Sequence, residues 1–74
     1  MRLSEIKPYK TVKILAFLND EKVKTKLENV GLKIGGIITV KSIAPFKTPI
    51  EIMYGNTRLA ISIKEAEKIT VEYV

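Results

Sequence analysis

Leu27-Glu28-Asn29-Val30-Gly31-Leu32-Lys33-Ile34-Gly35-Gly36-Ile37-Ile38-Thr39-Val40-Lys41-Ser42-Ile43-Ala44-Pro45 is the stretch that decides the fold. Leu27 and Val30 close an apolar helical stripe, and Gly31 stands where a helix commonly needs a residue in the left-handed region. Leu32 can then fold back against the last helical turn. Gly35-Gly36 breaks the chain again. Ile38 and Val40 alternate with Thr39 and Lys41, as a half-buried strand does. Ala44-Pro45 ends that strand and opens a loop that closes at Pro49.

Upstream, Val12, Ile14, Ala16 and Leu18 alternate with Thr11, Lys13, Leu15 and Phe17 and suit a first strand. Leu15 and Phe17 make its second face apolar near the end, so the next helix is expected to cover it. Asn19 or Asp20 can cap that helix, and Val23, Leu27 and Val30 form its stripe at i, i+4 and i+7. Before the strand, Ser4 can open a short turn that Pro8 terminates.

Downstream, Ile50, Ile52 and Tyr54 alternate with Glu51 and Met53. Gly55-Asn56 is a two-residue hairpin signal, because both residues tolerate positive φ. Leu59, Ile61 and Ile63 return against Arg58, Ala60 and Ser62. Ser62-Ile63-Lys64-Glu65 fits a capping box and opens one short helical turn. Ile69, Val71 and Tyr73 alternate in a last strand, with Tyr54 and Tyr73 on core-facing positions. Five short strands in so short a chain cannot make a two-sheet sandwich. The expected fold is all-β: an SH3-like five-stranded barrel in a single domain, residues 1–74. One helix is inserted after the first strand, and a helical turn precedes the last. Gly31, Gly35, Gly55 and Asn56 are read as structural turns.

Composition narrows the chemistry. The chain has 74 residues, no His, no Cys and no Trp. Without Cys there are no disulfides or thiolate metal sites. The carboxylates are dispersed, and Asp20-Glu21 and Glu65-Glu67 are accounted for by helix capping and solvation. Ser4, Ser42 and Ser62 have no base to activate them. Gly35-Gly36 lacks the spacing and the following Lys-Ser/Thr of a phosphate loop. No catalytic, cofactor-binding or metal-binding residues are assigned, and an enzyme is not expected. No apolar run approaches the roughly 20 residues that span a bilayer, and the N-terminus lacks the apolar segment of a signal peptide. The net charge is +5, with lysines scattered among acidic neighbours. That pattern is read as solvation. Its rival is a basic small barrel that binds nucleic acid, a class that usually concentrates arginine and exposed aromatics.

Taken in order, these motifs resemble the FeoA family of ferrous iron uptake. Leu27, Gly31-Leu32, Gly35, Ile38-Thr39-Val40 and Ala44-Pro45 match its pattern. So do Pro49-Ile50-Glu51-Ile52, Arg58-Leu59-Ala60-Ile61 and Glu65-Ala66-Glu67-Lys68-Ile69, and Leu3-Ser4-Glu5-Ile6-Lys7-Pro8 resembles its opening. The chain departs from it at three places. Ile34 replaces the usual proline before Gly35, Tyr9 stands where the opening often has glycine, and Lys47-Thr48 replaces a common Gly-Asp. The resemblance implies a cytoplasmic, non-enzymatic SH3-like barrel without cofactor. Its partner would be FeoB, a membrane iron transporter with a cytoplasmic GTP-binding domain, and it would meet the membrane only through that partner. No nucleic acid is expected. The same fold occurs in iron- and manganese-sensing repressors, which leaves a stand-alone relative of those repressors as an alternative. The expected partner contact is Ala44, Pro45, Phe46 and Lys47, with Phe46 as apolar anchor and Lys47 as rim charge.

Overall fold

The computed structural model describes residues 1–18, 20–43 and 49–74. A 3-10 turn at Leu3–Glu5 precedes β1 (Thr11–Phe17), α1 (Glu21–Asn29), β2 (Ile37–Ile43), β3 (Ile50–Tyr54), β4 (Thr57–Ile61), α2 (Ile63–Ala66) and β5 (Ile69–Tyr73). The strands form one antiparallel sheet in the order β4-β3-β2-β1-β5. The end strands β4 and β5 are joined by α2. Inward residues of all five strands meet in one cluster that includes Ile14, Val40, Ile52, Ile61 and Val71. The sheet therefore wraps its own core as a partly open barrel. The expected all-β architecture holds, with the helix after the first strand and a helical turn before the last.

Two bulges shape this wrapping. The β1–β5 register shifts between Ile14 and Ala16, and the β2–β3 register between Val40 and Ser42. A bulge inserts one residue, bends the strand and raises its twist. It also swaps the faces of the residues beyond it. Val12 and Ile14 are buried, but past the β1 bulge Phe17 packs on the core opposite Ile69, while Leu15 and Leu18 are exposed. The expectation that α1 covers a second apolar face of Leu15 and Phe17 is thus wrong: Leu15 continues the outward face of Lys13 and stays exposed, while the bulge turns Phe17 to the core.

The ends of α1 are set by local chemistry. The Asp20 carboxylate accepts from the backbone N–H groups of Lys22 and Val23, both at 3.1 Å. Asn19, the other candidate cap, lies outside the described residues. At the far end, the Leu32 N–H donates to the Leu27 carbonyl at 2.9 Å and the Gly31 N–H to that of Glu28 at 3.0 Å. This paired ending needs a left-handed residue between the two, and Gly31 has φ 99°. Leu27 and Leu32 are both buried. Val30 is not: it caps the helix and is 45% exposed. Leu32, just past the helix end, takes the core position that helical spacing assigned to Val30.

Two tight turns then set the mouth of β1 and β2. At residues 33–36 the Gly36 N–H donates to the Lys33 carbonyl at 2.9 Å. Gly35 at the third position has φ 89°, the arrangement of a type II turn. Gly35 and Gly36 then exchange hydrogen bonds with Ile14 at 2.8 and 2.9 Å, which starts the β1–β2 ladder. The Tyr54 ring reaches across this region. A Cβ added at Gly31 would stand 3.4 Å from its Cε1, and one at Gly36 3.5 Å from its Cε2. At residues 7–10 the left-handed third position is Tyr9, with φ 69°. Its N–H donates to the Val40 carbonyl at 2.6 Å, and the Val40 N–H donates to the Lys10 carbonyl at 3.0 Å.

The remaining elements are quickly placed. Gly55 has φ 59° and Asn56 does not share a positive φ, so the hairpin uses a II′ turn rather than one with two left-handed residues. Ser62 and Glu65 form the expected capping box. The first turn is not capped by Ser4, which lies inside it. Instead the Arg2 N–H donates to Glu5 Oε1 at 2.8 Å. Tyr73 is half exposed at the end of β5, so of the two tyrosines assigned to the core only Tyr54 packs against it.

Candidate interaction surface

The four expected contact residues, Ala44, Pro45, Phe46 and Lys47, lie outside the described residues. The structure does describe where their segment is anchored. Ile43 and Ile50 are directly paired across β2 and β3, so the connection leaves and returns at one point. Ile50 is buried. Beside it lies a small cavity of about 190 Å³ between the N-terminal turn and the starts of β3 and α2. Ile6, Pro8, Ile50 and Ile63 give it apolar walls, and Ser4, Glu5 and Lys7 complete its lining.

Of the four residues read as turns, Gly31, Gly35 and Gly55 have positive φ and Asn56 does not. None contributes a side chain to a site. The carboxylates are engaged elsewhere. Lys68 Nζ lies 2.9 Å from Asp20 Oδ2, and Lys26 Nζ lies 2.6 Å from Glu65 Oε2. These two pairs tie α1 to the segment from α2 into β5. The Lys68 hydrogen bond, helped by the Val23 N–H, holds the Asp20 carboxyl below its usual range. The Lys26 hydrogen bond does the same for Glu65, against an opposing effect of partial burial and with help from Ser62. Both groups are therefore fixed anions near neutral pH, not proton carriers. Lys13–Glu72 and Arg58–Glu51 are looser pairs across the sheet, at 3.4 and 3.5 Å. Among the described residues no three His, Cys, Asp or Glu side chains gather as a metal site would require.

A second surface is not apparent from sequence periodicity. Leu15, Ile34 and Ile37 are 38%, 60% and 46% exposed. Ile37 pairs with Lys13, and Gly35 and Gly36 bond to Ile14, so the three aliphatic side chains belong to one end of the β1–β2 ladder. The signal is present in Ile34, an apolar residue in a turn, and in Leu15, an apolar residue on the outer face of β1 that the next helix is expected to cover. An exposed aliphatic group of this kind marks a contact surface more readily than scattered single residues do.

A small antiparallel barrel whose buried side chains, among the described residues, are all apolar belongs to the class of SH3-like domains. The FeoA domain model matches residues 1–73, and the chain belongs to that family, which is associated with ferrous iron transport. The solution structure of the FeoA protein from Chlorobium tepidum superimposes with a TM-score of 0.92 at 31% identity, over 100% of this chain and 70% of that one. The zinc complex of Stenotrophomonas maltophilia FeoA, described as a procaryotic SH3 domain protein, shares the fold. Its TM-score is 0.82 at 22% identity, over 97% of this chain and 89% of that one. The manganese regulator SloR shares the fold alone, with a TM-score of 0.89 at 16% identity; this chain spans 34% of that protein. Among curated protein sequences none matches.

Proposed function

We propose that the chain is a cytoplasmic accessory of ferrous iron uptake that acts by binding the cytoplasmic region of a FeoB-type membrane transporter. The family match over residues 1–73 is the observation that carries this reading. The geometry supports binding rather than chemistry. The two carboxyls with shifted pKa serve ion pairs and helix caps, and the described core contains no polar side chain. No described helix is long and apolar enough to cross a membrane, so the transporter would supply the membrane-spanning part. The contact is assigned to Ala44, Pro45, Phe46 and Lys47, on a connection whose base is held by the Ile43–Ile50 pair.

Capture on the soluble region of the transporter tests this. The wild-type chain should bind, and Phe46→Ala should weaken binding at least tenfold, roughly the loss expected of one apolar anchor. Unchanged binding by that variant removes the connection from the contact. A paired variant, Leu15→Ser with Ile37→Ser, reports on the aliphatic surface at the opposite end of β2. Absence of binding by the wild-type chain would defeat the reading itself.

A further inference from the structure

We propose that the corner built from Lys7, Tyr9, Lys10 and Lys41 rests directly on an anionic membrane surface. The proposal stands independently of the transporter reading. Its first support is charge. The ion pairs of the described residues use Lys13, Lys26, Arg58 and Lys68; Lys7, Lys10 and Lys41 share with Lys22, Lys24, Lys33 and Lys64 the lack of one, and differ from them in standing beside Tyr9. Backbone bonds set the turn that carries Lys7 and Lys10 beside the strand that carries Lys41. The Tyr9 N–H to Val40 and the Val40 N–H to Lys10 lay the turn of residues 7–10 against β2, one residue before Lys41.

The second support is Tyr9. It is 78% exposed and has φ 69°, the sole positive φ outside glycine among the described residues. The turn itself would be served better by glycine. A bulky aromatic kept there at a conformational cost, with most of its surface in water, points to a role outside the fold. Its ring is apolar with a polar tip, the combination that favours the headgroup level of a bilayer.

The third support is shape. Tyr9, Lys10 and Lys41 line none of the three best-formed concavities; one of these, at Ile6 and Ile50, takes in Lys7 and Pro8 but not Tyr9. A bound peptide needs a groove or a sheet edge. A single-stranded nucleic acid needs successive stacking platforms, and this corner has one ring. A bilayer needs neither, because its charge is spread and its headgroups move around a protruding side chain. Each lysine near such a surface changes partitioning on the order of fivefold, so three together account for roughly a hundredfold.

Co-sedimentation of the full chain with vesicles tests this, using phosphatidylcholine alone and a mixture containing phosphatidylglycerol. Partitioning should favour the anionic vesicles at least tenfold and fall steeply as salt rises from about 50 to 300 mM. Replacing Lys7, Lys10 and Lys41 together by Gln should remove most of that preference. Replacing Lys22, Lys33 and Lys64 by Gln makes the same change in net charge elsewhere and should leave most of it. Tyr9→Gly should lower partitioning a few-fold without loss of folding. Equal binding to both vesicle types would overturn the proposal, as would equal losses in the two triple variants. So would tighter binding of a single-stranded oligonucleotide at the same salt, if the first triple variant abolished it.

Discussion

Tyr9 has φ 69° and a side chain 78% exposed. The left-handed conformation costs an L-residue about 1–2 kcal/mol through crowding of Cβ against the following carbonyl. Glycine has no Cβ and avoids that cost, but it adds freedom to the unfolded chain worth roughly 0.5–1 kcal/mol. Little packing is lost, because the ring is mostly in water. The Tyr9 N–H bond to Val40 is a backbone bond and survives the change. Tyr9→Gly should therefore stabilise the protein by about 0.5–1 kcal/mol, raising Tm by roughly 2–8 °C for a domain of this size. Tyr9→Ala is the informative companion. It removes the ring but keeps Cβ, so it should give no comparable gain. Thermal unfolding monitored by circular dichroism measures both. If glycine does not exceed alanine in Tm, the strain assigned to this turn is absent.

Other consequences can be checked in the same way. Ile34 occupies the second position of the turn at residues 33–36, where proline would pre-set φ, so Ile34→Pro should add about 0.4–1 kcal/mol in urea unfolding with an unchanged m-value. Gly31→Val places a β-branched residue at φ 99° and 3.4 Å from the Tyr54 ring, and should cost at least about 1–2 kcal/mol. Asp20 and Glu65 both have lowered pKa in the folded chain, so their ionised forms stabilise it above the usual carboxylate range, and this contribution disappears as pH falls through the depressed values. Stability should accordingly drop below about pH 4, and the drop should be shallower in Asp20→Asn with Glu65→Gln, read as Tm between about pH 6 and 3.

Most of what is readable in the sequence is local. Asp20 at the start of α1, Gly31 at its end, Gly55 in the hairpin and the Ser62–Glu65 box each act within a few residues, and each stands where its chemistry requires. The misassignments share a different cause. The β1 bulge arises from the coiling of the whole sheet against β5, and nothing within residues 11–17 announces it. It is what turns Phe17 inward and Leu18 outward. Val30 and Tyr73 sit at the ends of their elements, where periodicity continues but the neighbouring element does not. For the interaction surface, periodicity locates the connection after β2 but is blind to Leu15, Ile34 and Ile37, which converge through strand pairing. Tyr9 stands out in the sequence only as a departure from a family pattern; its physical meaning comes with its backbone angle.

The Met1 carbonyl accepts from the Val71 N–H at 2.7 Å, and Arg2 bridges Thr70. The two ends of the chain thus lie side by side on the outer edge of β5. A barrel that is entered and left at one place can be grafted into a loop of a host protein without unthreading it. It can also be rewired. A linker of a few residues from Val74 to Met1, with new ends opened between Gly55 and Asn56, would preserve every ladder but exchange the long closure of β1 on β5 for an equally long closure of β4 on β3. Such a circular permutant should fold no faster than the parent, because β1 and β5 become neighbours in sequence only at the cost of making the β4–β3 pairing the most distant one.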